Sequence, residues 1–376
     1  MTSNRIYLSP PNMLEKEKEF LDKAFSSNWI APIGPYIDTF ENNISTYLST
    51  GYGCALSSGT AALHLSLKIL GISKGDIVIC PSLTFSASAN VIIYENAKPI
   101  FIDSNPIDWT LDTSILEKAF EKYRPKAIIT VDLYGNSCNY DTIIELCEQF
   151  NVHIIEDAAE ALGSEYNGKK LGTFGKIGVF SFNGNKIITT SCGGMLVSEN
   201  EEYVEKAKFL SSQSKEKERH YEHRELGYNY RMSNLLASIG CGQLLNLDYF
   251  MNKRRKIFDY YYEALSNIEG IQFLTESRNC KSNRWLTSLL IDELKTGISR
   301  DDVIIALEKE DIESRPVWKP MHLQPFYKGY DYIKKSNIDI SASLFNNGIC
   351  LPSGSNLSKS EQGRIIDIIL SLMKKV

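Results

Sequence analysis

One lysine lies where its amine could act as a nucleophile. Lys186 follows the apolar run 177–182 by four residues and precedes a turn of small residues. Most lysines are solvated, but an ammonium group between two predicted core strands would lose its hydration. A desolvated lysine amine attacks carbonyl carbons. The position of Lys186 therefore predicts covalent chemistry with a carbonyl compound.

Two further side chains follow apolar runs, where open α/β sheets bind their ligands. Asp157 closes the run that begins at residue 152, and a carboxylate there needs a partner such as a protonated heterocyclic nitrogen. An aspartate at a strand end is also a common helix cap. Phe85 lies in a loop of small residues after the run 77–80 and offers a ring face for stacking, although a packing phenylalanine is the commoner case.

A fourth motif joins a predicted strand to a predicted helix. Residues 57–62 read SSGTAA, and serine and threonine cap helices well. The free N–H groups at a helix start bind anions such as phosphate. Capped helices after strands are common, so this motif alone indicates only where a helix begins.

Together these motifs match the requirements of pyridoxal 5′-phosphate. That cofactor needs a phosphate site, a side chain that stacks on its ring, a carboxylate for its ring nitrogen and a lysine for its aldehyde. The motifs follow one another along the chain in the order typical of fold-type I enzymes.

The elements that must position these residues alternate along the first 200 residues. Seven short apolar runs are separated by stretches with helical spacing. The runs are 54–56, 77–80, 99–102, 127–131, 152–155, 177–182 and 195–197, and the helical patterns are 60–70, 113–120 and 141–150. This alternation predicts an α/β fold with a mostly parallel sheet between helices.

The pattern changes after residue 200. Helices are expected at 201–213, 300–309 and 359–373, with one long helix or two over 235–264, and strands are expected at 285–291 and 312–317. We therefore predict a large α/β domain over residues 1–250 and a smaller C-terminal α+β domain over residues 251–376.

Composition excludes several classes of protein. The 376 residues are 43% hydrophobic and 23% charged, with a net charge of −5, which is the balance of a globular protein and not of a basic nucleic-acid binder. No apolar stretch is long enough for a membrane span, and the first twenty residues lack the apolar region of a signal peptide, so a cytoplasmic protein is expected. The eight cysteines form no C-x-x-C pair and the five histidines do not cluster with them. We therefore expect buried, reduced thiols, Cys192 included, and no metal site.

In its motifs the sequence resembles the DegT/StrS family of nucleotide-sugar aminotransferases over essentially the whole chain. The resemblance rests on the motifs SSGTAALHL (57–65), TFSASAN (84–90), IIEDAAEALGS (154–164), SFNGNKIITT (181–190), GYNYRMSN (227–234) and RPVWKPMHLQPF (315–326). Segments 6–11, 27–32, 283–286 and 351–354 are similar to the subgroup that aminates UDP-4-keto-6-deoxy-N-acetylglucosamine in bacillosamine-type pathways. Many relatives carry Gly-Glu-Gly-Gly after the lysine, whereas this chain has Ser-Cys-Gly-Gly at 191–194, which leaves the sugar specificity less defined.

The resemblance implies a fold-type I aminotransferase with pyridoxal 5′-phosphate bound to Lys186 as a Schiff base and Asp157 paired with the ring nitrogen. The cofactor-binding residues that it implies are Ser58, Gly59, Thr60, Phe85, Asp157, Glu160, Ser181, Lys186 and, across a dimer interface, Asn229, with Arg231 as the alternative to Asn229. The substrate-binding residues that it implies are Trp29, Ile30, Arg284, Trp318 and His322, with Arg315 and Lys319 as further cationic candidates.

The reaction implied is amino transfer from L-glutamate to C4 of a UDP-4-keto-6-deoxy-N-acetylamino-hexose, for surface glycan synthesis, by a homodimer with shared active sites. Other nucleotide keto-sugars, of the GDP-perosamine or dTDP-amino-sugar type, are alternatives. A sugar dehydratase of the same fold would carry histidine in place of Lys186. A non-catalytic regulator would not need Lys186, Asp157 and Phe85 together. Neither a nucleic acid nor a membrane is expected as a partner.

Overall fold

An eight-stranded sheet forms the centre of the protein in the computed structural model, which describes residues 5–373. The strands are β1 (Tyr52–Leu56), β2 (Ile77–Pro81), β3 (Lys98–Ile102), β4 (Ala127–Val131), β5 (His153–Asp157), β6 (Glu165–Tyr166), β7 (Lys169–Lys170), β8 (Ile177–Ser181), β9 (Gly194–Ser198), β10 (Ile271–Phe273), β11 (Cys280–Lys281), β12 (Thr287–Ile291), β13 (Arg315–Pro316), β14 (Tyr332–Ile333) and β15 (Gly348–Leu351). The central sheet has the order β1-β9-β8-β5-β4-β2-β3-β14, and β9 alone runs against the others. The carboxyl ends of β1, β2, β5 and β8 therefore meet at one edge of the sheet.

Helices cover both faces of this sheet and also build the C-terminal part of the chain. They are α1 (Glu15–Ser26), α2 (Pro35–Leu48), α3 (Gly59–Ile69), α4 (Ser86–Tyr94), α5 (Leu116–Tyr123), α6 (Tyr140–Phe150), α7 (Glu201–Ser211), α8 (Asn234–Leu244), α9 (Leu247–Leu265), α10 (Glu293–Thr296), α11 (Arg300–Lys309), α12 (Ile340–Asn347) and α13 (Lys359–Met373). Helices α3, α4 and α7 pack on one face, and α2, α5, α6 and α8 pack on the other. The α/β architecture expected from the sequence, with a mostly parallel sheet between helices, is confirmed.

Strand β4 shows why the sheet is buried on both sides. Ala127, Ile129 and Val131 point into one hydrophobic core and Ile128 points into the other, because successive side chains of a strand face opposite ways. Helices on both faces of a parallel sheet leave no polar face, so the strand is a continuous apolar run and is readable from the sequence.

The expected elements differ from the observed ones mainly in the C-terminal part. The stretch 235–264 forms two helices, α8 and α9. The strand expected over 285–291 begins at Thr287, because the N–H of Trp285 bonds to the side chain of Asn283. The strand expected over 312–317 is reduced to Arg315–Pro316, since Ile312 is bridged to Ile6 near the N-terminus instead.

A second sheet, of order β10-β12-β15-β13, forms a C-terminal unit around a third hydrophobic core. Helix α9 contributes Leu247 and Phe250 to a core of the large sheet and Ile257 and Tyr261 to this third core. The proposed division at residue 250 therefore falls inside a continuous helix, and it stays a prediction; residues 1–4 and 374–376 of that division lie outside the described part.

Two features that the composition argued against are a membrane-spanning helix and a metal-binding cluster. Within residues 5–373, no helix is both long enough and apolar enough to cross a bilayer. The same residues contain no cluster of three or more acidic, histidine or cysteine side chains that could hold a metal ion.

Candidate functional site

A cavity of about 350 Å³ opens at the carboxyl ends of the central strands. Four strand-to-helix or strand-to-turn connections line it, as expected for an open α/β sheet. Its lining includes residues 57–60 after β1, residues 84 and 85 after β2, residues 157, 159 and 160 at the end of β5, and residues 181, 183, 185 and 186 at the end of β8. Two tryptophans, Trp285 and Trp318, complete it. The cavity thus gathers the four features that the sequence singled out.

The start of helix α3 forms one end of the cavity. Ser58 is the N-cap residue, and its Oγ accepts a hydrogen bond from the N–H of Ala61 at 3.0 Å. The N–H groups of Gly59 and Thr60 have no acceptor within the helix, and they lie at its positive end. A side chain at Gly194 would overlap the backbone of Ser58 and Gly59, so glycine there lets β9 pack against this helix start. The arrangement suits a phosphate group.

Asp157 lies at the end of β5 on the floor of the cavity. Its carboxylate is buried and accepts hydrogen bonds from Oγ of Ser88 at 2.7 Å and from the N–H of Ala159 at 3.2 Å. Burial raises the pKa of the Asp157 carboxyl, while these hydrogen bonds and the charge of Lys186 oppose that rise. A buried carboxylate held by two neutral donors is suited to a cationic partner in the cavity.

Lys186 is positioned by the turn that follows β8. Its N–H bonds to the carbonyl of Asn183 at 3.0 Å, and its side chain is largely buried. Nζ lies 3.7 Å from Oε1 of Glu160 and 4.3 Å from the centre of the Trp285 ring. The ammonium group therefore has one carboxylate and one aromatic face as neighbours.

Glu160 is held by an unusual backbone conformation at Tyr134. Tyr134 has φ of 54°, in the left-handed region that few non-glycine residues occupy, and its N–H bonds to Oε2 of Glu160 at 2.7 Å. Burial raises the pKa of the Glu160 carboxyl, and the charge of Lys186 opposes this rise. Strained residues of this kind cluster at functional sites.

Aromatic side chains form one wall of the cavity. Phe85 is 52% exposed, and its ring lies 5.4 Å from that of Trp318. Trp318 and Trp285 each stack with Tyr134, with ring centres 6.2 Å apart in both pairs. The exposed Phe85 ring therefore presents a face in the cavity on which a planar ligand can pack.

Two of the residues expected at the phosphate lie outside this cavity. Asn229 is exposed and pairs through its backbone with Ser212. Arg231 donates to Oε1 of the buried Glu41 at 2.9 Å and also contacts the carbonyl of Ala55. Arg231 is thus already bound within its own chain, whereas the side chain of Asn229 faces outward.

The residues expected to bind substrate are spread more widely. Trp318 lines the cavity, and both Trp29 and Ile30 are exposed on the segment between α1 and α2. Arg284, with φ of 52°, turns its guanidinium away to lie 3.6 Å above the Phe258 ring. Its role in substrate binding would require those contacts to change.

His322 is also held away from the cavity. Its ring lies between Oγ of Ser82 at 2.6 Å and Oδ2 of Asp339 at 3.0 Å, and it stacks on Tyr332. Burial lowers the pKa of His322, and Asp339 opposes this change. Arg315 and Lys319 instead line a neighbouring cavity of about 710 Å³ that shares Asn185, Trp285 and Trp318 with the first.

Several residues that shape the site were not expected from the sequence. Ser88, Tyr134 and Trp285 contact Asp157, Glu160 and Lys186, respectively. Ser88 falls within the quoted motif TFSASAN, in the first turn of α4, which was the one available signal. The expectation that Cys192 is buried is wrong, because the loop 191–193 opens into the cavity and leaves this thiol exposed.

The donor set fits pyridoxal 5′-phosphate. The first turn of α3 supplies N–H groups for the phosphate, Asp157 is a buried carboxylate in need of a cation, and Lys186 is an amine in the same cavity. Ser181 lies against Gly59, because a Cβ built on Gly59 would be 3.0 Å from the Cβ of Ser181. Both residues therefore adjoin the phosphate end of the cavity.

Comparison with known proteins supports this fit. The sequence profile of the DegT/DnrJ/EryC1/StrS aminotransferase family matches residues 11–370. The Bacillus subtilis (strain 168) protein EpsN, provisionally named a pyridoxal phosphate-dependent aminotransferase, is 48% identical over 99% of this chain and 97% of its own length. GDP-perosamine synthase of Escherichia coli O157:H7 is 40% identical over 93% of this chain and 94% of its own length.

Two further similarities complete the comparison. The UDP-4-amino-4,6-dideoxy-N-acetyl-beta-L-altrosamine transaminase of Campylobacter jejuni subsp. jejuni serotype O:23/36 (strain 81-176) is 32% identical over 99% of this chain and 98% of its own. A Streptococcus pneumoniae protein, Spr1654, provisionally named a sugar aminotransferase and solved in its PLP form, superposes with a TM-score of 0.90 at 30% identity, covering 99% of each chain.

Proposed function

This chain belongs to the DegT/DnrJ/EryC1/StrS aminotransferase family, and from that premise we propose its substrates and the roles of the residues in the cavity. It is a pyridoxal 5′-phosphate-dependent sugar aminotransferase. The proposed reaction transfers the amino group of L-glutamate to C4 of a UDP-4-keto-6-deoxy-N-acetylamino-hexose. The products are 2-oxoglutarate and a UDP-4-amino-4,6-dideoxy sugar for surface glycan synthesis.

The observation that carries the assignment of roles is the convergence of three features in one cavity. Lys186, Asp157 and the start of α3 come from three different connections of the sheet, and all three line the same space. An amine, a buried carboxylate and an anion site together serve amino transfer, whereas any one of them alone would be ordinary.

The cofactor supplies, when bound, an electron sink for the carbon that carries the amino group. The N–H groups of Gly59 and Thr60 bind its phosphate, helped by Ser181, and Phe85 packs against its ring. Asp157 holds a proton on the ring nitrogen by offering that nitrogen a negative charge. The cationic ring thus replaces the missing partner of a buried carboxylate and favours its ionised form.

Lys186 moves the proton that the reaction requires. In one half of the reaction its amine removes the proton from Cα of glutamate, and in the other half it delivers a proton to C4 of the sugar. Glu160, 3.7 Å from Nζ, keeps the amine directed into the cavity and adjoins the cofactor ring. Tyr134 fixes Glu160 in turn through its N–H.

The neighbouring cavity suits the nucleotide end of the substrate. It shares Trp318 with the first cavity and carries Arg315 and Lys319, whose charges suit a diphosphate. The choice of a UDP-linked acetamido sugar is supported by the quoted motifs and by the relative named for a UDP-linked amino sugar.

A second candidate substrate is a GDP-linked 4-keto sugar. The relative named GDP-perosamine synthase is 40% identical to this chain, a higher identity than that of the UDP-linked transaminase. Both candidates leave the roles of Lys186 and Asp157 unchanged.

The two candidates can be separated with purified enzyme. The protein, cofactor and glutamate would be incubated with UDP-, GDP- and dTDP-linked 4-keto-6-deoxy sugars, and the amino sugars measured by mass spectrometry. The proposal expects the largest kcat/KM with the UDP-linked acetamido sugar. A larger kcat/KM with the GDP-linked sugar would establish the second candidate instead.

A further inference from the structure

The ring of Trp285 lies directly beside the reactive amine. Nζ of Lys186 is 4.3 Å from the centre of this ring, which is within the range of a cation–π interaction. Trp285 is 1% exposed, so water does not screen the contact. On another side, Oε1 of Glu160 lies 3.7 Å from the same Nζ.

Trp285 is fixed by hydrogen bonds at three atoms. Its Nε1 donates to the carbonyl of Asn185 at 2.7 Å, and this carbonyl belongs to the residue before Lys186. Its backbone N–H donates to Oδ1 of Asn283 at 2.9 Å, and Nδ2 of Asn283 donates to the carbonyl of Glu160 at 3.0 Å. The ring, the lysine turn and the carboxylate segment are therefore tied together.

A buried arginine holds the third atom. Arg254, on α9, is 2% exposed and donates to the carbonyl of Trp285 at 2.6 Å and to the carbonyl of Ser353 at 3.0 Å. It also donates to Oγ of Ser9 at 3.0 Å, and Ser9 donates to the same Asn185 carbonyl at 2.7 Å. A buried cation with only neutral partners is costly, and the contacts of Arg254 converge on Trp285 and, through Ser9, on Asn185, so they hold the turn before Lys186 in place.

We propose that Trp285 is a positioning residue that seats the positively charged side-chain nitrogen of Lys186 on its ring face, with Arg254 as its anchor. This inference rests on the proposed function, since it concerns the lysine that moves the proton. The charged groups that face Nζ are Glu160 and Asp157, and the indole face adds to their stabilisation of the positive charge. Phenylalanine would keep a ring but lose both the stronger quadrupole and the bond to Asn185.

The experiment compares wild type with Trp285→Phe and Trp285→Leu, each loaded with cofactor. The absorbance of the bound cofactor is followed against pH, because it reports the loss of the proton at the lysine nitrogen without any turnover. Trp285→Leu should move the midpoint of this titration about 0.4 to 1.5 pH units lower, since the positive charge loses its seat. Trp285→Phe should move the midpoint less than Trp285→Leu does. In Trp285→Leu, kcat should fall about three- to thirtyfold, and KM for the sugar should change less than kcat.

Trp109→Phe is the matched control, because Trp109 is equally buried but lies outside the cavity. It should leave the midpoint unchanged at comparable thermal stability. Unshifted midpoints in both Trp285 variants would overturn the proposal; if Trp285→Leu does not fold, the Trp285→Phe result alone decides. Wild-type protein that shows no cofactor absorbance, or a Lys186→Ala variant that keeps the wild-type titration, would instead overturn the proposed function of Lys186.

Discussion

The hydroxyl group of Ser88 donates a hydrogen bond to the carboxylate of Asp157, with Oγ 2.7 Å from Oδ2. Ser88 lies on α4, the helix that begins directly after Phe85, and its Oγ is also 3.1 Å from Oγ1 of Thr84. This bond therefore joins the loop that carries the ring-stacking side chain to the carboxylate at the end of β5. It also favours the ionised form of Asp157, against the effect of burial on its pKa.

Replacing Ser88 with alanine should therefore make the ionised form of Asp157 less favourable. The pKa of Asp157 would rise further, and because the carboxylate acts in its ionised form, the acidic limb of the kcat profile should move to higher pH. We expect kcat to fall about tenfold near neutral pH, the effect of one hydrogen bond to a charged group. Ser86→Ala, on the same helix, is the matched control and should keep the wild-type profile; an unmoved acidic limb in Ser88→Ala would contradict the role.

The Asp157→Asn variant should bind cofactor but transfer amino groups far more slowly. An amide cannot hold a positive charge on the ring nitrogen, so the expected loss is several kcal/mol of barrier, or at least about a hundredfold in kcat. Cofactor content by absorbance and single-turnover rates with glutamate would be measured together. Turnover close to that of wild type would contradict the role of Asp157 as the partner of the ring nitrogen.

The outward-facing Asn229 predicts a site shared between two subunits. Neither Asn229 nor Arg231 lines the cavity of its own chain, and Arg231 is bound to Glu41. We propose that Asn229 reaches the phosphate bound in the partner subunit, so Asn229→Ala should weaken cofactor binding by about 1–3 kcal/mol. Cofactor titration of the apoprotein measures this change.

Subunit exchange separates a shared site from a local effect of Asn229. Mixed dimers of Lys186→Ala and Asn229→Ala chains should contain one intact site, and thus about half of the wild-type activity per dimer, because the sites are independent in this scheme. A monomeric active species in sedimentation experiments, or full activity of Asn229→Ala alone, would rule out the shared site.

A buried acid pair beside the site should make stability depend on pH. Burial and the neighbouring Glu156 raise the pKa of Asp132 well above its ordinary value of 3.8, so the folded chain keeps a proton that the unfolded chain releases. The contribution of Asp132 to the free energy of unfolding is then fully present below about pH 4 and falls by up to about 1.4 kcal/mol per pH unit as pH rises toward the folded-state pKa.

The Asp132→Asn variant tests this directly, since an amide can donate to Glu156 as the protonated acid does. Between about pH 5 and pH 8, the free energy of unfolding measured in urea should fall less in this variant than in wild type. Asp22→Asn, at an exposed position of α1, should behave as wild type. Equal slopes for Asp132→Asn and wild type would show that Asp132 is ionised in the folded chain.

Local patterns in the sequence are enough to predict most strands of the central sheet and the positions where they end. The run 127–131 coincides with β4, and helices over 300–309 and 359–373 coincide with α11 and α13. Lys186, Asp157 and the start of α3 follow the same logic, because each lies at the end of a buried strand or a few residues beyond it. The order of these strands brings their carboxyl ends to one edge.

Contacts between distant parts of the chain are not readable in this way. Arg284 looked like a cation for a diphosphate, but its left-handed backbone turns its side chain toward Phe258, and nothing in the local sequence signals that turn. His322 bonds to Ser82, 240 residues earlier in the chain. Trp285 gains its place beside Lys186 through Arg254 and Ser9, so only the folded structure shows it.

The most direct test of the account is to locate the bond between the cofactor and the protein. The holoenzyme would be reduced with borohydride, digested and mapped by mass spectrometry. We expect one modified peptide, which carries the reduced cofactor on Lys186, and no modification in Lys186→Ala. Cofactor attached to another lysine, or retained covalently by the alanine variant, would contradict the central claim that Lys186 is the reactive amine of this site.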